Sequence, residues 1–583
     1  MGGEKAEKFY IIPRSMALKT YFTRQLRVRE RFGLQLVAII VAAHGVFVLA
    51  TTLLDLLAAR HTSHLSAADV NVPLIVGLSL LYLSALLRRR KRTAWLATVL
   101  SYTFYLGLSL TSLIHSVGMD DLSTVLLVRA IVLPASILAL LIALQSHYVV
   151  KSDIQGFAQA VRSSLLILFV SFLYGITGFT LLDKSDFHQE ISPFSAVHYT
   201  VDQFDLTTSR PLVPHTKRAQ LFADSLSFIS VGAVGYAVIA LFQPIRARLV
   251  DQMVNRRRLA ALLERGGAHS EDFFKLWPYD KQFFFDQTNN SGLAFHVRRG
   301  VALCLGDPAG DKKNYGRLLD EFAIMCESND WQPAHVHVEP TSRKLYESHG
   351  YSLQKIGEEA VVAIAHFQAE VARNKYFRHI NNKFSKQEYR TELLLPPHHP
   401  AVLARLRTVS SEWLKRGGRT ERGFAMGYFS DDYMQQCPLM IVRDAAGTIQ
   451  AFLNQLPAAA FDSQEATYDL LRHSNDSPGN INDYLLLNFI DQLAEQQYGQ
   501  LNLGLCPLTG LADNEAGKSV IDTILRFAYA NGDRFYSFSG LHRFKAKYEP
   551  EWRDRFIAYQ GGLSGFTRTA NALVGAMRVK NRP

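Results

Sequence analysis

Cysteine is scarce in this chain. The four residues Cys304, Cys326, Cys437 and Cys506 lie far apart with no CxxC spacing, which weighs against a zinc site or a disulfide framework and fits a reducing compartment. There is no G-x-x-x-x-G-K-S/T, no dinucleotide fingerprint and no H-E-x-x-H, so ATP-driven and zinc-dependent reactions lose their usual signatures. The N-terminus lacks the short apolar core and small-residue cleavage site of a signal peptide, and its first apolar run is long enough to remain in a bilayer as an anchor. Acidic residues are outnumbered, 52 against 63 Lys and Arg, giving a net charge of +11. That balance suits an anionic partner such as phospholipid or nucleic acid, although cytoplasmic loops alone make many membrane proteins basic.

Long apolar runs are confined to the first part of the chain. Six stretches approach the ~20 residues that span a bilayer, at about 33–58, 70–87, 94–116, 124–146, 164–182 and 221–242. The expected organisation is a basic N-terminal segment over 1–32 and a six-helix membrane domain over 33–245. Arg129, near one end of the fourth span, is expected to snorkel, and His44, within the first, to make a helix-packing hydrogen bond. Lys and Arg gather in the N-terminal segment, in "RRRKR" at 88–92 and around 246–258, which with six spans places both termini on the cytoplasmic side of the membrane.

The remainder alternates strand and helix patterns. "GVALCLGDP", "AHVHVEP" and "EEAVVAI" read as strands and "YGRLLDEFAIMCESN" as a helix. The rhythm returns with a hairpin in "PLMIVRDAAGTIQAFLNQLP", a helix in "INDYLLLNFIDQLAEQQ" and a strand in "QLNLGLCPL". The simplest account is an α-helical membrane bundle followed by two α/β modules, over 255–391 and 392–583, divided at the proline-rich "ELLLPPHHP". Such repeats fit the acetyltransferase (GNAT-type) fold. Its pyrophosphate-binding turn, Q/R-x-x-G-x-G/A, has only incomplete counterparts in "QKIGEE" and "QQYGQL", so coenzyme A is poorly supported and no cofactor or metal is expected.

Four polar groupings could carry chemistry: "GEEA" (357–360), "YDLLRHS" (468–474), "NLGLCPLTGL" (502–511) and "GLHRFKAKYEPEW" (540–552) with the preceding "RFYSFSGL". In "YDLLR" a helical turn or bulge would bring Asp469 and Arg472 to one side, while an ordinary strand would not. A structural ion pair is the competing interpretation. In "HRFKAKYEP" the spacing of Arg543, Lys545 and Lys547 predicts a strand with a basic row on one face, closed by Pro550 and Trp552. Such a row can be a phosphate site or simply a solvated face.

"FFFDQTNNSGLAFHVRRG", "CLGDPAG", "KIGEEAVV", "ERGFAMGYFSDDYM", "YDLLRHS", "LNLGLCPLTGL" and "FYSFSGLHRFKAKYEPEWRDRFIAY" occur in order over about 270–560. In sequence and separation these motifs resemble the phosphatidylglycerol aminoacyltransferases, the multiple peptide resistance factor family. The resemblance implies two acetyltransferase-like units sharing a tunnel, with lipid entering one end and the aminoacyl end of tRNA the other. It implies transfer of a lysyl or alanyl group from aminoacyl-tRNA to a glycerol hydroxyl of phosphatidylglycerol, which would lower the negative charge of the membrane and protect it from cationic peptides. The partners would be aminoacyl-tRNA, phosphatidylglycerol and the membrane, with a homo-oligomer left open.

Carried over motif by motif, the catalytic residues would be Asp469, Arg472 and Lys545. Substrate would be bound by Glu358, Glu359, Arg543, Lys547, Tyr536 and Asn502. A carboxylate beside arginine should have a low pKa, so whether Asp469 is a base or an orienting group is open. The sequence departs from the family pattern at Leu471, where methionine is usual, and at His542, where arginine is common. The chain looks like the synthase part without the flippase helices of longer members. The alternatives are another lipid or peptidoglycan-precursor acceptor, a coenzyme A-dependent acyltransferase, and a membrane-anchored module without catalysis.

Overall fold

The computed structural model describes residues 28–58, 67–116, 131–148, 150, 154–182, 184–187, 191–204, 215–241, 253–266, 269–416, 418–457, 464–509 and 538–579. The chain divides into two compact units, Met1–Arg246 with Glu327–Asp330, and Ala247–Cys326 with Trp331–Pro583.

The first unit is helical. Its principal helices are α1 (Val28–Ala58), α2 (Ala67–Arg88), α3 (Arg92–Ser116), α4 (Leu133–Ala143), α5 (Ile154–Leu181), α6 (Pro193–Phe204) and α7 (Lys217–Leu241). Among the described residues two stretches are long and apolar enough to cross a membrane, Gly33–Asp55 and Val161–Leu181, with shorter apolar helices at Pro73–Arg88 and Leu133–Ala143. The expected six spans are therefore not shown. Helices α3 and α7 form where spans were expected, but their Ser, Thr, Tyr, Gly and Ala content dilutes their hydropathy. The fourth expected span, Arg129 included, falls partly outside the described residues, as does most of the basic N-terminal segment. His44 Nδ1 lies 2.9 Å from the Tyr102 hydroxyl, a polar contact between α1 and α3.

The second unit is built on a mixed sheet in the order β1-β2-β3-β5-β12-β6-β11-β10-β9-β8-β7, with β4 paired to β2. The strands are β1 (Gln282–Phe285), β2 (Ser291–Arg298), β3 (Val301–Leu305), β4 (Ala309–Gly310), β5 (Gln332–Val338), β6 (Ser352–Ala363), β7 (Arg390–Leu394), β8 (Leu439–Arg443), β9 (Ile449–Gln455), β10 (Glu465–His473), β11 (Gln500–Pro507) and β12 (Glu551–Tyr559). Alternation sends Leu439 and Ile441 into one hydrophobic core and Met440 and Val442 into another, as a sheet covered on both faces requires. Helices preceding and following these strands include α8 (Met253–Gly266), α9 (Tyr315–Ser328), α10 (Lys375–Lys386), α11 (Pro400–Arg416), α12 (Ile481–Glu495), α13 (Phe538–Ala546) and α14 (Gly562–Met577).

Two parallel pairings stand out in an otherwise antiparallel sheet. Strands β3 and β5 are joined through α9, and β10 and β11 through α12, so the same strand-helix-strand unit occurs twice. The last strand, β12, does not extend the second repeat: it lies between β5 and β6, antiparallel to both.

Candidate active site

The parallel pairing of β10 with β11 runs from Glu465/Gln500 to Thr467/Asn502 and stops there. Just beyond this point both strands are irregular, β10 between Tyr468 and Leu471 against β9, and β11 between Asn502 and Leu505 against β6. Two bulges side by side re-aim the side chains that follow and open the sheet. The Leu470 N–H released by the first bulge is taken by Asn454 Oδ1 at 2.8 Å, which fixes the distortion.

Asp469 sits in the β10 bulge. Its Oδ2 accepts hydrogen bonds from the Gly427 N–H at 2.9 Å and the Tyr433 hydroxyl at 2.8 Å. Tyr433 is fully buried and lies parallel to Trp277, centroids 5.1 Å apart, so the phenol is locked in place. A side chain at Gly427 could not be accommodated, because its Cβ would lie 2.3 Å from Asp469 Oδ2. Burial outweighs these donors and the pull of Arg472, and raises the Asp469 pKa to about 6.

Arg472 does not bond to Asp469. It forms a two-pronged pair with Glu421, 2.8 and 2.7 Å, donates to Ser410 and stacks on Trp413. The arginine charge is thus largely met by Glu421; the expected low pKa of Asp469 is not found because burial outweighs the pull that Arg472 still exerts.

The stretch containing Arg543, Lys545 and Lys547 is not a strand. Residues Phe538–Ala546 form helix α13, which sends Arg543 and Lys545 to different faces, and Lys547 follows its last residue. Arg543 is exposed. Lys545 is buried, and its Nζ donates to the carbonyls of Gly504 at 2.8 Å and Leu505 at 3.2 Å. Among the described residues no carboxylate lies within ion-pair distance of it, and burial pushes its pKa down. Lys547 instead pairs with Asp483 at 2.5 Å and contacts the Tyr376 hydroxyl at 3.0 Å. Pro550 and Trp552 do not close an edge: Trp552 is the second residue of β12, inside the sheet, and stacks on His542, centroids 4.4 Å apart. Tyr536 lies outside the described residues.

Glu359, at the centre of β12, β6 and β11, is fully buried. Arg555 Nη2 lies 2.6 Å from Oε2, His269 Nε2 lies 3.0 Å from the same oxygen, and Asn502 Nδ2 donates to it at 3.3 Å. Burial works against the Glu359 charge, but His269 and Arg555 prevail and hold the carboxyl well below its ordinary range. Glu358, one residue away, faces elsewhere and pairs with Lys355 at 2.8 Å. His269, Glu271 and Glu359 also resemble a metal-ligand set. A guanidinium already fills it, since Arg555 Nη2 is 2.6 Å from both His269 Nε2 and Glu359 Oε2.

The profile of the family described as "Phosphatidylglycerol lysyltransferase, C-terminal" matches residues 260–559, which contain every group in this site. The chain belongs to this family. Over 361 residues it is 30% identical to the phosphatidylglycerol lysyltransferase of Bacillus subtilis (strain 168), covering 60% of this chain and 41% of that protein. A phosphatidylglycerol lysyltransferase of Staphylococcus epidermidis is 28% identical over 289 residues, 48% of this chain and 33% of that one. The chain thus spans well under half the length of these curated relatives. Among solved structures, L-PGS from Bacillus licheniformis superimposes with a TM-score of 0.48 at 30% identity, covering 55% of this chain and 94% of that one.

Within the region that matches the lysyltransferase family, Asn502, Glu359, Asp469 and Lys545 gather around the paired bulges. Four neighbours of these groups were not singled out by the sequence: His269 and Glu271 on the turn before β1, Tyr433 and Arg555. Glu271 Oε1 lies 3.6 Å, and Lys545 Nζ 3.8 Å, from where a Cβ on Gly504 would stand, so Gly504, with φ +81°, lets the acid and the cation approach across bare backbone. Arg555 carried a signal in hindsight. In "EWRDRFIAY" a strand pattern ends in an apolar run, and an arginine flanking such a run must find a buried partner.

Proposed function

We propose that the chain is a membrane-anchored aminoacyltransferase that moves an aminoacyl group from aminoacyl-tRNA to a glycerol hydroxyl of phosphatidylglycerol. The observation that carries this reading is that the paired bulges hold a buried carboxyl whose pKa is about 6 and a buried lysine whose hydrogen-bond partners, among the described residues, are two carbonyls. Family membership supplies the substrate class, through relatives whose name is phosphatidylglycerol lysyltransferase.

In this mechanism the lipid hydroxyl attacks the ester carbonyl that links the amino acid to the tRNA ribose. Asp469 accepts the hydroxyl proton as the new C–O bond forms and returns it to the departing ribose oxygen as the old C–O bond breaks. A base with a pKa near the working pH suits both transfers. Lys545 provides positive charge for the carbonyl oxygen as it becomes an oxyanion, and its removal from water strengthens that interaction. The Arg472–Glu421 pair braces β10 so that Asp469 keeps its position. Arg543 contributes to the basic surface for nucleic acid phosphates, whose binding weakens with salt. No ATP is consumed because the ester was energised when the tRNA was charged.

The reading extends to the rest of the chain. The two sheet halves act as acetyltransferase-like units, the helical unit spans the inner membrane up to six times, and the catalytic unit faces the cytoplasm. A less negative membrane surface would then attract cationic peptides less strongly.

The test is expression in a bacterial host that lacks aminoacylated phosphatidylglycerol, followed by mass spectrometry of total lipids. A lipid heavier than phosphatidylglycerol by one amino-acid residue, absent with Asp469→Ala, is the expected result. An unchanged lipid profile from folded, membrane-inserted protein would overturn the proposal.

A further inference from the structure

We infer that the outward face at the start of α8, together with Tyr279, rests on the anionic surface of the bilayer, and that this contact weakens as the surface loses negative charge. Its link to product formation rests on the aminoacyl-transfer reading above.

Helix α8 is two-sided. Leu259, Leu262 and Leu263 face inward and pack with Ala294 of β2 and Ala309 of β4. At about 3.6 residues per turn the opposite arc carries Met253, Val254, Arg257, Arg258 and Arg265, all exposed, and the helix has a single acid, Glu264. Val254 is 71% exposed, Met253 50% and Tyr279 56%. The Arg256 guanidinium lies over the Tyr279 ring, 4.0 Å from its centroid, and its Nε donates to the Leu276 carbonyl at 3.0 Å, which ties the tyrosine to the helix.

Cations alone would suit a nucleic acid, whose phosphates draw on charge and not on exposed aliphatic groups. Apolar side chains and a tyrosine kept in water beside arginines match the headgroup boundary of a bilayer, which takes up the apolar groups while lipid phosphates meet the guanidinium groups. Chain length favours the same partner. Residues 242–252 alone separate α8 from α7, and a segment of that length reaches about 40 Å at most. In the membrane-anchored reading α7 is the last span, so this face cannot move far from lipid.

The face is also continuous with the candidate active site. Tyr279 meets Trp277 edge-on, centroids 4.7 Å apart, Trp277 lies parallel to Tyr433 at 5.1 Å, and the Tyr433 hydroxyl donates to Asp469 at 2.8 Å. A lipid surface at Tyr279 therefore lies three contacts from the carboxyl that receives the proton of a lipid hydroxyl. Because the proposed reaction makes that surface less negative, the contact loosens as product accumulates.

The experiment uses the full chain in vesicles. All four native cysteines are buried, so an introduced exposed cysteine can be labelled selectively with a nitroxide. Val254→Cys is compared with Ala445→Cys on the exposed β8–β9 turn, and Phe169→Cys, within the apolar stretch Val161–Leu181, selects preparations that have entered the membrane. Collision with oxygen, which concentrates in lipid, is measured against collision with a water-soluble nickel chelate. In vesicles of equal parts phosphatidylglycerol and phosphatidylcholine the oxygen-to-nickel ratio at position 254 should exceed that at 445 by about tenfold, as for a side chain in the headgroup boundary. That excess should disappear in pure phosphatidylcholine and in the Arg257→Gln, Arg258→Gln double variant. Equal ratios at 254 and 445 would overturn the contact, and an excess that survives in pure phosphatidylcholine would overturn its dependence on charge. Protection of position 254 from the nickel chelate by tRNA in place of lipid would assign the face to nucleic acid and overturn the inference as well. No readout here requires catalysis: if no aminoacyl lipid ever forms, the loosening by product falls with the transferase reading, and the contact is still decided by the label.

Discussion

Two kinds of charged group are buried in the sheet unit, and they are kept under different conditions. In the framework the buried charges are matched, as in Glu359 with Arg555 and Arg472 with Glu421. At the break between β10 and β11, Asp469 is held by a backbone N–H and a phenol, and Lys545 by two carbonyls. Matched sets stay ionised and hold strands in register. The unmatched groups have their pKa values pushed toward neutrality by burial, Asp469 upward and Lys545 downward. Unmatched charge destabilises a fold, and its presence beside two bulges marks the place where a substrate completes the electrostatics.

The contrast can be broken most severely at Asp469. Asp469→Asn should lower the rate of lipid aminoacylation by about 10²- to 10⁴-fold, the usual contribution of a general base, with no loss of melting temperature. A rate above a tenth of the original would remove Asp469 from the chemistry. At the framework end, Glu359→Gln leaves the buried Arg555 without its counter-charge and should destabilise the sheet unit by about 3–5 kcal/mol. Urea unfolding followed by tryptophan fluorescence measures this, and a shift below about 1 kcal/mol would mean that Glu359 belongs with the reactive groups rather than the scaffold.

The pH dependence sharpens the same comparison. The Asp469 carboxylate is the form that accepts a proton, so kcat/KM should fall as pH drops through about 6, and the limb should vanish in Asp469→Asn. The stability effect has the opposite sense. The folded pKa lies above the ordinary 3.8, so this group favours the folded state below that value, and the advantage is lost as pH rises through about 6. A limb centred near 4 would show that burial does not control this carboxyl. The smallest effect belongs to Lys547→Met. Asp483 keeps the hydroxyls of Tyr376 and Tyr548, so stability should change by about 1 kcal/mol or less and activity by less than twofold. A large activity loss there would place Lys547 with Lys545 after all.

The alternation of strands and helices in the second unit was legible because periodicity reports burial directly: the β8–β9 hairpin, α9, α12 and β11 all form where their apolar spacing requires. The cations of "HRFKAKY" were misread for the same reason. Spacing of two is compatible with a helix when its residues need not share a face, and here Lys545 is buried while Arg543 is exposed. The position of Asp469 was legible from its motif, but its chemistry was not. That depends on burial and on Gly427 and Tyr433, 42 and 36 residues earlier in the chain, and no local pattern announces which distant groups will enclose a carboxyl. His269 and Glu271 carried no signal because a short polar turn before a strand looks the same whether it faces solvent or a cavity.

Strand β12 has a consequence for how the chain is made. Residues 551–559 fill the gap between β5 and β6, so during synthesis the centre of the sheet stays open until this segment has emerged from the ribosome. Until then β5 and β6 each present an unpaired edge, and Glu359 waits in the nascent chain for Arg555. The candidate site is therefore among the last parts of this unit to be assembled, and a nascent chain stalled before residue 551 would hold most of the motifs without the arrangement that lets them act.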